Sequence, residues 1–347
     1  MIPIQNVYYM LSYAFQVLNE DRYRDMATEE FENAAELCAA ILIKGIYTQL
    51  KRGLGREYIE QTEALASPRG RIEVSESLKT MSIQRKRLVC SYDEFSVNSY
   101  LNRILKTTME VLLRADISKS RKKELRKLLV YFADVETLDV HRINWNVQYN
   151  RNNQTYRMLV TICYLVIKGL LQSDVDGSNR MMDFFDEQRM CRLYEKFLLE
   201  YYRKEHPELT ANASQIAWQL DDDITDLLPT MQSDIMLTQK RDGVERVLII
   251  DAKYYSHTTQ VQFDTHTVHS GNLYQIFTYV KNKEAELKVS DHEVSGMLLY
   301  ARTDAEIQPS KEYHMSGNRI AVSTLDLNCE FSEIRKQLDE IVDSFFL

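Results

Sequence analysis

The chain has no Cys-x-x-Cys pair; its five cysteines, Cys38, Cys90, Cys163, Cys191 and Cys329, are scattered along 347 residues. That spacing argues against a structural zinc site and a secreted disulfide framework, and leads us to expect a reduced, cytoplasmic protein. No Gly-x-x-x-x-Gly-Lys-Ser/Thr run occurs, which excludes phosphate-loop nucleotide binding, and no Gly-x-Ser-x-Gly elbow is present. The longest apolar stretch, residues 158–171, is too short to span a bilayer and contains Lys168, so it is expected to form a buried helix. The opening residues lack the basic start and small-residue cleavage site of a signal peptide. A basic excess is missing too. With 43 Lys and Arg against 51 Asp and Glu the net charge is −8, whereas a protein that binds nucleic acid unaided usually shows a positive balance. Local basic runs exist, Gln84-Arg-Lys-Arg87 and Lys119-Ser-Arg-Lys-Lys-Glu-Leu-Arg-Lys127, and the second reads equally well as the wet face of a helix.

What is present centres on one hairpin. Ser233-Asp-Ile-Met-Leu-Thr-Gln239 and Glu245-Arg-Val-Leu-Ile-Ile-Asp-Ala-Lys-Tyr-Tyr255 are apolar, β-prone runs on either side of Asp242-Gly243, a strong two-residue hairpin signal. With those two residues in the turn, Asp234 falls opposite Asp251, with Cβ atoms about 4.5–5.5 Å apart. Lys253 projects from the same face. Ile235, Leu237, Leu248 and Ile250 occupy the other face and are the expected core side. Either the carboxylates are merely solvated, or their opposition calls for a cation, and Mg²⁺ sites often use only one or two carboxylates.

The rest of the chain reads as two domains. Residues 1–180 should be a mixed helical and small β domain. Val7, Leu11, Ala14, Phe15 and Leu18 predict a helix over 7–18 with Asn6 as N-cap. Helices are expected at 29–50, from Ser96 to Arg114, from Ser120 to Phe132 and over 156–172, with a loop or irregular hairpin at 144–153. Short strands over 56–91 are broken by Ser67-Pro-Arg-Gly70. Ser173-Asp-Val-Asp-Gly-Ser-Asn179 is the linker candidate. Residues 181–347 should be an α/β domain: a helix at 188–204, strands near 215–220, 231–239 and 245–255, a helix at 271–287, strands at 294–301 and 319–324, and a helix at 331–346.

Two carboxylates and a lysine suit phosphodiester hydrolysis with a divalent metal held by Asp234, Asp251 and the backbone carbonyl of Ala252. Lys253 would hold the attacking water or stabilise developing charge. Glu195, on the amphipathic helix Arg192-Leu-Tyr-Glu-Lys-Phe-Leu-Leu-Glu200, is a third acidic candidate, or else a surface Glu paired along its helix. Gln275 and Tyr279 share a helical face at i and i+4. His257, His266 and His269 match no standard zinc spacing.

Asp234, Asp251-Ala-Lys253 and Gln275-x-x-x-Tyr279 together resemble the PD-(D/E)xK nuclease superfamily in its RecB-like branch. Ile2-Pro-Ile-Gln-Asn-Val-Tyr-Tyr-Met-Leu-Ser-Tyr-Ala14, Gly70-Arg-Ile-Glu73, Tyr92-Asp-Glu-Phe95, Leu101-Asn-Arg-Ile-Leu-Lys106, Leu248-Ile-Ile-Asp-Ala-Lys-Tyr-Tyr255 and Asn272-Leu-Tyr-Gln275 are similar to motifs of the McrC family. The resemblance implies the Mg²⁺-dependent endonuclease subunit of a type IV, 5-methylcytosine-directed restriction complex acting on double-stranded DNA. It implies a partner, an McrB-like AAA+ GTPase hexamer, which binds GTP and recognises the methylated base. The N-terminal half would dock into the hexamer pore and stimulate the GTPase, and an acidic nuclease could borrow DNA affinity from that partner. No membrane association is expected. Two alternatives are a stand-alone RecB-like repair nuclease and a chain that is mainly a non-enzymatic activator of a GTPase motor. One departure is that Gln232-Ser233, not a proline, precedes Asp234.

Overall fold

The computed structural model describes residues 2–15, 18, 31–150, 153, 155–176, 187–222, 225–255, 260–262, 265–303 and 307–347. It contains two compact units, one made of Met1–Phe31 with Phe185–Leu347 and the other of Glu32–Phe184. A cut at residue 180 runs close to the second crossing between them. The first helix, α1 (Ile4–Ala14), belongs with the later part of the chain and packs on α7 (described below).

In the Glu32–Phe184 unit, α2 (Ala34–Arg52) is capped by Asn33, whose side chain accepts the Glu36 N–H. Strand β1 (Glu57–Leu65) follows, then the two-residue β2 (Arg71–Ile72), the short α3 (Val74–Lys79) and β3 (Leu88–Ser96). β3 is the central strand, antiparallel to both β1 and β2. Helices α4 (Tyr100–Arg114), α5 (Lys119–Leu129) and α6 (Tyr156–Asp176) complete the unit. The apolar stretch at 158–171 is indeed helical, with Leu159, Ile162, Val166 and Ile167 buried. α4 starts at Tyr100, capped by Ser99, because Ser96 is consumed as the last residue of β3; α5 starts at Lys119, with Ser118 Oγ accepting the Arg121 N–H. The linker candidate is helical through Asp176; its remainder lies outside the described residues.

The other unit is built on a mixed six-stranded sheet. After α7 (Glu187–Glu205) come β4 (Thr210–Asn212), β5 (Gln215–Ile216), β6 (Met231–Gln232), β7 (Ile235–Arg241) and β8 (Val244–Lys253). β9 (Gln260–Gln262) and β10 (Thr265–Thr267) form a separate hairpin. Then follow α8 (Ser270–Glu286), β11 (His292–Ala301), β12 (Lys311–Met315), β13 (Asn318–Leu325) and α9 (Phe331–Phe346). The order is β12-β13-β11-β8-β7-β4, with β8, β11 and β13 parallel and the other pairings antiparallel.

Both faces of the sheet are buried, which corrects the expectation of one solvated face. Val247 and Ile249, on the Asp251 face, pack with Ile276 and Val280 of α8. Ile235, Leu237, Leu248 and Ile250 on the opposite face are also buried, and α7 packs against β7 and β8. Parallel pairing needs a crossover, and the α8 crossover covers the face that alternation alone leaves open.

Asn6 is not the cap of α1. Pro3 precedes the helix, and the Asn6 amide donates to the Leu327 and Cys329 carbonyls at 2.9 and 2.8 Å, tying α1 to the chain before α9.

Candidate active site

Asp242 and Gly243 have φ of 55° and 84°, the paired positive values that a type I′ hairpin turn requires. The ladder runs Arg241↔Val244 to Ile235↔Ile250, the predicted register. Asp234 sits one residue before β7 and turns across to Ala252, whose N–H donates to Asp234 Oδ2 at 2.8 Å. Its neighbour Ser233 anchors the approach: Ser233 N donates to the Ser214 carbonyl at 3.0 Å, and Ser233 Oγ accepts the Ser214 N–H at 3.3 Å. A proline at 233 would have no N–H for that bond.

Asp251 is 2% exposed. Lys253 Nζ lies 2.8 Å from its Oδ2, in ion-pair contact. The lysine also donates to Gln275 Oε1 at 3.4 Å, and Gln275 Nε2 donates to the Tyr279 hydroxyl at 2.9 Å. Asp251, Lys253, Gln275 and Tyr279 therefore form one polar chain from β8 to α8.

Burial, then the charges of Asp251 and Glu195, push the Asp234 carboxyl up to about 8, against the Ala252 N–H and Lys253. Burial also raises Asp251, opposed chiefly by Lys253. Burial works against the Lys253 charge, but the Asp251 carboxylate outweighs it and holds the ammonium above its usual value. Two buried, opposed carboxylates that resist joint ionisation are an oxygen donor set whose repulsion a divalent cation would relieve.

Glu195 is close enough to act on Asp234 electrostatically, but its Oε1 accepts the Cys191 thiol at 3.1 Å. Burial, then that bond, pushes Cys191 up to about 12, so it stays a donor. Among the described residues, no group of three or more His, Cys, Asp or Glu side chains is arranged to hold a metal ion. Asp234 and Asp251 are brought together; Glu195 is a neighbour. The backbone N–H of Ala252 serves Asp234. His257 and the His266 side chain lie outside the described residues, and the His269 ring packs on Tyr255.

The model of a family described as "McrBC 5-methylcytosine restriction system component" matches residues 5–301 of the chain. The chain belongs to the McrBC family. An McrBC relative, the "Type IV methyl-directed restriction enzyme EcoKMcrBC" of Escherichia coli K12, is 27% identical over 351 residues, spanning 99% of this chain and 98% of the relative. Among solved structures, a half-complex of Thermococcus gammatolerans McrB AAA+ hexamers with bound McrC matches with a TM-score of 0.47 and 18% identity, over 98% of this chain and 76% of that one. The Thermococcus gammatolerans McrBC complex matches with a TM-score of 0.40 and 21% identity over 58% of each chain.

Residue reasoning on this McrBC-family chain missed three side chains near the pair. Cys191 lies at i−4 from Glu195, a helical spacing that was legible. Ser233 carries a signal only once Ser214 is known to face it. Tyr300 pairs with Lys253 across the parallel β8–β11 ladder, and its hydroxyl accepts from Asn272 at 3.0 Å; only strand order reveals it.

Proposed function

We propose that this McrBC-family chain is the Mg²⁺-dependent DNA endonuclease subunit of a 5-methylcytosine-directed restriction complex, with its C-terminal domain of the PD-(D/E)xK type. The observation that carries the reading is the convergence of Asp234 and Asp251, from two hairpin strands, with Lys253 in ion-pair contact. Asp234, Asp251 and the Ala252 carbonyl would hold the metal, which when bound supplies positive charge to a phosphate and lowers the pKa of water. Lys253, kept protonated by Asp251, faces developing negative charge, a role worth about 3–4 kcal/mol for a preorganised donor. Gln275, itself bonded to Tyr279, gives the ammonium a second acceptor beside Asp251 and so fixes its position. Glu195 contributes charge near Asp234, with Cys191 fixing its orientation.

The partner in this reading is an McrB-like AAA+ GTPase hexamer, docked by the N-terminal part of the chain. Support comes from the family's role in a restriction system, the near full-length E. coli relative and the missing phosphate loop. Cleavage of methylated plasmid is expected only with partner, GTP and Mg²⁺ together, and EDTA should abolish it. Cutting by the purified chain without partner or GTP would favour a stand-alone RecB-like nuclease. GTPase stimulation with no cleavage under any metal would favour a pure activator.

A further inference from the structure

Charge is divided unequally between the two units. Residues 32–184 carry 24 Lys and Arg against 18 Asp and Glu, a net +6, which leaves −14 for the unit that holds Asp234 and Asp251. In the basic unit the cations concentrate on α5. Its inner side is anchored by buried Leu125 and Leu128, by Arg121 3.8 Å from Glu36, and by Glu124 accepting the Tyr47 hydroxyl at 2.6 Å. Lys119, Lys122, Lys123 and Arg126 fall together on the opposite side, spread over about 10 Å of helix. Lys119, Lys123 and Arg126 are exposed and Lys122 is half-buried. None of the four lies within ion-pair distance of a carboxylate among the described residues, although Lys123 acts on Glu124 electrostatically, whereas neighbouring Lys127 is 2.6 Å from Glu124.

This arrangement works against the helix. Its first turn contains no acidic residue and places Lys119, Arg121 and Lys122 at the positive end of the dipole. Lys119 with Lys123, and Lys122 with Arg126, are like-charge pairs at i and i+4, which destabilise a helix. A negative ligand along the face removes both penalties. Protein interfaces are depleted in Lys at their centres, while clustered cations along one helix are the footprint of a nucleic-acid backbone.

We infer that the Lys119–Lys122–Lys123–Arg126 face of α5 binds the sugar–phosphate backbone of double-stranded DNA without regard to sequence. This deepens the nuclease reading and rests on it for the choice of nucleic acid. It gives the chain a DNA contact of its own, outside the acidic unit that carries the carboxylate pair.

The test is binding of the full-length chain to a short labelled duplex by fluorescence anisotropy, in EDTA, across a salt series. Lys119→Gln/Lys123→Gln/Arg126→Gln should lower the magnitude of the log–log salt slope by about 2–3 and weaken binding about tenfold or more at 0.1 M salt. A control of equal charge, Lys51→Gln/Arg52→Gln/Lys79→Gln, should change it much less. Circular dichroism of the triple variant should match the parent, since all three side chains are exposed. The inference is overturned if the parent does not bind duplex at low salt or if the two triple variants behave alike. Loss of binding to an AAA+ partner with duplex binding intact also overturns it, and would make the face a protein dock. The assay needs neither metal nor cleavage. Failure here leaves the cleavage site standing, and a cleavage-site failure leaves the salt slope untouched.

Discussion

Asp234 is held by the Ala252 N–H yet pushed up to about 8 by burial and by two acidic neighbours. Because its folded value lies above the ordinary 3.8, the native state binds the extra proton. The stability this contributes is complete below about pH 4 and is lost as pH rises through about 8. Thermal unfolding in EDTA should therefore show Tm falling across that window, a slope that Asp234→Asn flattens and Mg²⁺ reverses at its upper end. Parallel pH profiles for parent and variant would contradict the assignment. The two aspartates and the lysine were legible from hairpin numbering because a two-residue turn leaves no freedom in register. Glu195 was not settled, since its helix position says nothing of whether its carboxylate faces Asp234 or Cys191. Nor was Ser233, whose value depends on a bond to Ser214, nineteen positions away.

At the scale of elements, α8 decides whether Gln275 reaches Lys253, and α8 sits on Gly296 of β11. A Cβ there would stand 2.8 Å from Ile276 Cγ1 and from Val280 Cγ2. Gly296→Val should lift α8, destabilise the fold by about 1–3 kcal/mol and reduce cleavage beyond what the stability loss explains. Denaturant unfolding alongside cleavage rates checks both parts; a variant with parental stability would show that α8 has room to spare. Long periodic helices and the apolar strands β7, β8, β11 and β13 were readable in the sequence because their burial repeats. The short pieces were not. α3 and β4 are each six residues or fewer, too short for a period, and β12 carries an exposed pattern because it is an edge strand paired on one side only. The cover that α8 places on the Asp251 face was also hidden, since Val247 and Ile249 look like alternation until the parallel crossover is known.

At the scale of the whole molecule, the chain leaves one compact unit at residue 31 and returns to it at 185. A linear reading places one boundary and misses that Asn6 fastens α1 to the carbonyls of Leu327 and Cys329. The charge division is likewise invisible in a net of −8. Among the described residues no helix is long and apolar enough to cross a membrane. On the proposed reading, in which the carboxylate pair serves DNA cleavage and not partner engagement, one function should be removable without the other. The most direct measurement is methylated-plasmid cleavage and GTP hydrolysis, side by side, by partner complexes carrying the parent chain or Asp251→Ala. Cleavage should fall by a factor on the order of 10³ or more, as expected when the preorganised charges at a reacting centre are removed, with GTPase stimulation unchanged. Cleavage by Asp251→Ala at the parental rate would contradict the site.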